Sequence, residues 1–169
     1  MSTQFRNIAL IGKYQSPDVA ESVFEIARFL REQGRMVWIE QGTASSIGGA
    51  GDYPVAAYER IGAEADLAVV VGGDGTMLNT ARRLAEHAVP LVGVNLGRLG
   101  FLTDISSSNS LARLAEIIEG RFREESRFML DAEVVRGGVR VFSTLALNDV
   151  VVNKGDLGRM IEFDLAIDG

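Results

Sequence analysis

Five consecutive residues, Gly72-Gly73-Asp74-Gly75-Thr76, follow the apolar run Val69-Val70-Val71 and precede a segment of helical spacing. Glycines let a ligand approach the backbone closely, and amides that open a helix favour an anion, so the loop suits phosphate handling. A carboxylate there repels phosphate. Asp74 therefore either works on a proton or metal ion beside the phosphate, or, like Thr76, only caps the helix. Two glycines before the aspartate exceed what a cap requires, which favours acceptance of a hydroxyl proton by Asp74.

A second group runs from Gly93 to Asp104 as GVNLGRLGFLTD. Gly97 and Gly100 would let it line a cleft, Asn95 could hydrogen-bond a ligand, and Phe101 could pack on a planar base. The plainer alternative is a buried strand end followed by a turn. A third group, Asn148-Asp149, interrupts an apolar run. Its residues either make a turn, the commoner meaning of the pair, or hydrogen-bond sugar hydroxyls. Lys13 and Arg159 could each reach a phosphate or simply meet solvent. His87 reads as a surface helix residue.

Familiar nucleotide loops are missing. No G-x-x-x-x-G-K-[ST] run occurs, and Leu78 stands where a dinucleotide fingerprint after Gly73 needs glycine. Cysteine is absent and His87 is the single histidine, which leaves oxygen ligands and a hard cation rather than zinc. A net charge of -6 argues against a nucleic-acid surface. With 47% apolar residues the chain can bury a core, yet no stretch approaches the roughly 18 to 20 apolar residues of a membrane span. A cytoplasmic protein is expected.

The elements that must position these residues alternate. Ile8 to Ile11 reads as a strand, Ser16-Pro17-Asp18 as a helix start, and Val19, Val23, Ile26 and Leu30 as one helical face closed by Gly34. Met36 to Ile39 is a strand, and the glycine-rich Gly42 to Gly51 reads as a mobile loop. Asp66 to Val71 is a strand, Thr76 to Ala88 a helix, Leu91 to Val94 a strand, Asn95 to Thr103 a turn, and Leu111, Leu114 and Ile118 mark a helix ending near Gly120. This is an α/β pattern, a parallel sheet covered on both faces, with ligands at the strands' carboxyl ends. Residues 1–125 form that domain. Over 126–169 the pattern becomes β-rich, with strands at Leu130 to Val135, Val139 to Leu147 and Met160 to Ile167. Asp168-Gly169 is a hairpin-turn pair with no returning strand, so the chain reads as truncated.

Taken together and in order, Gly72-Gly73-Asp74-Gly75-Thr76, Asn95-Leu96-Gly97-Arg98-Leu99-Gly100-Phe101-Leu102 and Leu147-Asn148-Asp149-Val150-Val151 resemble the NAD kinases. The first motif is shared with 6-phosphofructokinases and with diacylglycerol and sphingosine kinases. The second narrows the choice. The resemblance implies transfer of the γ-phosphoryl of ATP to the 2′-hydroxyl of the adenosine ribose of NAD, with Mg2+, giving NADP. It implies Asp74 as proton acceptor, Gly72, Gly73, Gly75 and Thr76 as the phosphate loop, and Asp74, Gly75, Phe101, Asn148, Asp149 and Arg159 as NAD contacts. Many members carry glutamate where Asp149 stands. No protein metal ligand is assigned. Members are homodimers or homotetramers whose sites take residues from a neighbour, and a Gly-Ser-Thr-Ala-Tyr motif completing their NAD site would lie beyond Gly169. The isolated chain is thus expected to be inactive or nearly so. The competing expectations are a lipid or sugar-phosphate kinase of the same superfamily and a non-catalytic nucleotide-binding protein.

Overall fold

The computed structural model describes residues 5–13, 17–97, 100–103, 105–153 and 162–167, and it divides into two compact units at Arg127/Phe128. The first unit is built on six parallel strands: β1 (Asn7–Gly12), β2 (Met36–Glu40), β3 (Val55–Ala56), β4 (Leu67–Val71), β5 (Leu91–Asn95) and β6 (Ile105–Ser106). Their spatial order is β3-β2-β1-β4-β5-β6. The chain winds outward from β1 to β3 and returns to the other side of β1, so the order reverses between β1 and β4. Crevices beyond the carboxyl ends at such a reversal are where open α/β sheets bind ligands.

Period-two alternation divides the apolar side chains between the sheet's faces. Ile8, Leu10, Val37, Ile39, Val69 and Val71 pack with Val19, Val23, Ile26 and Leu30 of α1 (Pro17–Glu32) and with Leu114 and Ile118 of α5 (Ser110–Ile118). Ala9, Ile11, Trp38 and Ala68 pack on the opposite face with Tyr58 and Ile61 of α3 (Tyr58–Glu64) and Leu84 of α4 (Asp74–Leu84). Burial on both sides explains why the strands read as nearly continuous apolar runs. No helix among the described residues is long and apolar enough to cross a membrane.

The expected loop at Gly42 to Gly51 is corrected in its first half, where α2 (Gln41–Ser46) forms. Glu40, only 4% exposed, caps it: the carboxylate accepts from Gly42 N at 2.8 Å, Thr43 N at 2.7 Å and Thr43 Oγ1 at 2.9 Å. Thr43 Oγ1 in turn accepts from Gly12 N at 2.8 Å, tying α2 to the end of β1. A glutamate cap at a strand's last residue carries none of the usual Ser/Thr/Asp/Asn signature. The two-residue strands β3 and β6 and the short α3 were not expected, being too brief for a period to declare itself.

The second unit contains β7 (Leu130–Arg136) and β8 (Val139–Ala146), antiparallel, with a register irregularity at Val134/Val135. Gly137 and Gly138 join them at φ +55° and +78°, the two positive values that a type I′ hairpin turn needs. Residues 162–167 form no strand, contrary to the expectation for Met160 to Ile167. Among the described residues none pairs with them as a strand, and a strand forms only against a partner. Residues 160, 161, 168 and 169 lie outside the described residues.

Candidate functional site

Beyond Val71 the backbone remains tied to the sheet, with Gly72 N donating to Val94 O at 2.9 Å, and the next peptide turns into α4. Gly73 is the N-cap, at φ -105° and ψ -170°, and its carbonyl accepts from Thr76 N and Met77 N. Neither Asp74 nor Thr76 caps this helix, as capping would require. Asp74 is already its first residue, and no side chain makes a cap hydrogen bond.

The three glycines differ in purpose. A Cβ on Gly72 would lie 2.6 Å from Thr76 Oγ1 and 3.3 Å from Lys13 Cβ, so this glycine serves close packing. A Cβ on Gly73 or Gly75 would meet nothing within 4 Å, and neither has positive φ. Neither packing nor conformation demands glycine there. What remains is an open approach to the first-turn amides of α4, the feature that anion binding uses.

Asp74 reaches across to the segment after β5. Its Oδ2 accepts from Phe101 N at 2.9 Å, and its Oδ1 accepts from Leu102 N at 3.1 Å and Thr103 Oγ1 at 3.3 Å. Gly100 makes this possible, since a Cβ there would stand 2.1 Å from Asp74 Oδ1. Behind it, Asn95 Nδ2 donates to Thr103 Oγ1 at 2.8 Å while Asn95 Oδ1 accepts from Gly97 N at 2.8 Å. The Gly97 bond fixes the Asn95 amide, the amide fills an acceptor position on the Thr103 hydroxyl, and that hydroxyl's proton is directed to Asp74. Asn95 is 5% and Thr103 0% exposed, so the arrangement is sheltered from water.

The hydrogen bonds lower the Asp74 pKa below its ordinary 3.8, led by Phe101 N–H, then Leu102 N–H; desolvation opposes them, and the Thr103 hydroxyl and Thr103 N–H add smaller lowering effects. Asp74 is therefore ionised at neutral pH. A carboxylate has about four lone-pair positions, and with two donors on Oδ1 and one on Oδ2 a position remains on Oδ2. That atom can accept a hydroxyl proton or meet a cation.

Phe101 is 94% exposed, so it does not cover the core, as the plainer reading of its segment had it. Lys13, exposed at the end of β1, borders the loop. Asn148 and Asp149 belong to the second unit, exposed at the bend after β8. Arg159, together with Arg98, Leu99 and Asp104, lies outside the described residues. His87 is exposed and packs over Gly62, where a Cβ would fall 2.4 Å from the imidazole. Thr103 and Gly100 stood inside the second motif, but their service to Asp74 spans 29 and 26 residues and no local pattern announces it.

A divalent cation has little protein to bind. Among the described residues no group of three or more His, Cys, Asp or Glu could hold one, and Asp74 offers a single open position. Such a donor set fits Mg2+ carried chiefly by substrate phosphates and water.

The profile of the ATP-NAD kinase N-terminal domain matches residues 8–122. The chain is 77% identical over 169 residues to an NAD kinase of Azoarcus sp. (strain BH72), covering 100% of this chain and 58% of that protein. It is 50% identical over 167 residues to an NAD kinase of Nitrosospira multiformis, covering 99% and 56%. The chain thus spans just over half the length of these curated relatives. Among solved structures, yeast NADH kinase complexed with NADH superposes with a TM-score of 0.70 at 22% identity, over 86% of this chain and 47% of that one. An NAD kinase from Archaeoglobus fulgidus in complex with ATP gives 0.50 at 23%, over 80% and 45%. At those identities the likeness concerns the fold. The sequence matches go further: this chain belongs to the ATP-NAD kinase family, whose N-terminal domain it carries.

Proposed function

We propose that these residues form the catalytic-loop portion of an NAD kinase, which transfers the γ-phosphoryl of ATP to the 2′-hydroxyl of the adenosine ribose of NAD and yields NADP. The observation that carries this reading is the held carboxylate: Asp74 is ionised, fixed by three donors, and flanked by two glycines that the fold itself does not need. The ribose hydroxyl donates to the open position on Asp74 Oδ2, and Asp74 takes its proton as the new bond from that oxygen to the γ-phosphorus forms and the γ-phosphorus's bond to ADP, the leaving group, breaks. Lowered basicity is no obstacle, because phosphoryl transfer passes through a loose transition state and depends chiefly on positioning and charge stabilisation. Like charge keeps the phosphates off Asp74 and favours the α4 amides at Gly73 and Gly75. Mg2+, brought with the nucleotide, neutralises phosphate charge when bound.

In the same reading the exposed Phe101 ring packs on a base of NAD, Asn148 and Asp149 hydrogen-bond the ribose and nicotinamide portions, and Arg159 adds a cation. Gly72 and Thr76 support the loop. The protein is a cytoplasmic homodimer or homotetramer, which light scattering on a sizing column would test. The deciding experiment measures NADP from NAD and Mg-ATP with this chain and with a version extended to the relatives' length by the remaining portion of the Azoarcus protein. Turnover by the extended protein alone supports the reading and assigns half the site to the added part. No turnover by either overturns it, and stabilisation by NAD without turnover would favour a non-catalytic nucleotide-binding protein.

A further inference from the structure

A cavity of about 540 Å³ opens at the amino ends of β1, β2 and β3, lined by Arg6, Asn7, Arg31, Arg35, Asp52 and Tyr53 among others. In a parallel sheet this end is opposite the one carrying Gly72 to Thr76, so the cavity is no part of the site described above. Its volume lies within the roughly 300 to 1,000 Å³ typical of small-molecule sites. Three arginines and one aspartate stand in its lining, although the chain as a whole carries a net charge of -6.

The helix end of α1 creates this concentration of charge. Gly34, at φ +75°, lets Arg35 N donate to Leu30 O at 3.1 Å and Gly34 N donate to Arg31 O at 2.9 Å, a Schellman closure that satisfies the last carbonyls and brings Arg35 to the same cavity wall as Arg31. The Arg31 guanidinium lies 4.6 Å from the Tyr53 ring centroid, and Arg35 Nη1 donates to Phe5 O at 2.9 Å. Both cations are thus fixed before any ligand arrives. Arg35 Nε is buried and has no acceptor, leaving a donor unused. Arg60, Arg113, Arg121, Arg127 and Arg140 each pair with a glutamate, whereas among the described residues Arg31 and Arg35 pair with no carboxylate.

We propose that this cavity is a second ligand site, taking a small molecule that bears a phosphate or pyrophosphate group between Arg31 and Arg35. Two fixed guanidinium groups match a dianion, whereas a single carboxylate leaves one of them unanswered. Acetate is therefore a weak ligand here.

The test titrates the full 169-residue chain with inorganic pyrophosphate, following backbone amides and arginine Nε–H signals by NMR at constant ionic strength. The expected result is saturable shifts at Gly34, Arg35, Met36 and Tyr53 and at Arg35 Nε–H, with affinity about tenfold weaker in Arg35→Gln. Because Arg35 also holds the Phe5 carbonyl, Arg31→Gln serves as the second variant, losing only its ring contact, and weakens binding by a similar factor. Shifts confined to Gly73 to Thr76, equal shifts with acetate, or unchanged affinity in Arg31→Gln would each overturn the proposal.

Discussion

In the proposed reaction Asp74 takes the hydroxyl proton, and the donors folded against it decide how its carboxylate behaves. Replacing it by asparagine keeps the shape but puts an N–H where backbone N–H groups already point and removes the proton acceptor. In the extended protein, Asp74→Asn should lower kcat by about 10² to 10⁴, measured as NADP formed per site. The pH dependence has a definite sign. Folding lowers the Asp74 pKa, so its contribution to stability is fully present above the ordinary 3.8 and is lost as pH falls through the lower folded value. Thermal midpoints of wild type and Asp74→Asn should therefore converge on acidification below that value. Thr103→Val removes one donor from Asp74 and the Thr103 Oγ1 acceptor of Asn95 Nδ2. The Asp74 pKa, followed by carboxyl 13C NMR, should rise toward the ordinary value, and Thr103→Ser should restore it. Unchanged titration in the valine variant would show that the backbone amides suffice.

At the level of elements, the loop between β4 and α4 and the segment after β5 make opposite demands on glycine. Gly73→Ala places a methyl in open space at an ordinary φ, so its stability should stay within about 0.5 kcal/mol of wild type while nucleotide affinity falls. Gly100→Ala drives a Cβ into the Asp74 carboxylate, so Phe101 and Leu102 amides should lose hydrogen-exchange protection and turnover should fall with them. A loss of affinity in the second variant with protection retained would contradict this division. Farther from the chemistry, Glu40→Ala strips α2 of its cap and leaves three donors unanswered. It should cost about 1 to 3 kcal/mol in denaturant unfolding.

Across the whole molecule, the two units differ in how their backbone is protected. Strands β1 and β4 are buried on both faces in a six-stranded sheet, whereas β7 and β8 form a two-stranded sheet with most residues exposed. An isolated pair of strands is marginal in water. In this chain, amides of β7 and β8 should exchange much faster than those of β1 and β4, and exchange at equal rates would show that the hairpin is buried in solution.

Much of the first unit was legible because its signals are local. Continuous apolar runs at Ile8 to Ile11 and Leu67 to Val71, the helical face of Val19, Val23, Ile26 and Leu30, and the stop at Gly34 each follow from short-range sterics and burial. The motifs around Asp74, Asn95 and Asn148 identified the family for the same reason, as ordered residue types at fixed spacing. Other features depend on distance in space. The need for glycine at Gly72 and the Asn95–Thr103–Asp74 arrangement arise only when strands β1, β4 and β5 lie side by side. Sequence alone determined which residues could do chemistry. The tertiary structure decided their protonation and aim, because a carboxylate's basicity is set by the donors folded against it, and those came from 27 to 29 residues away.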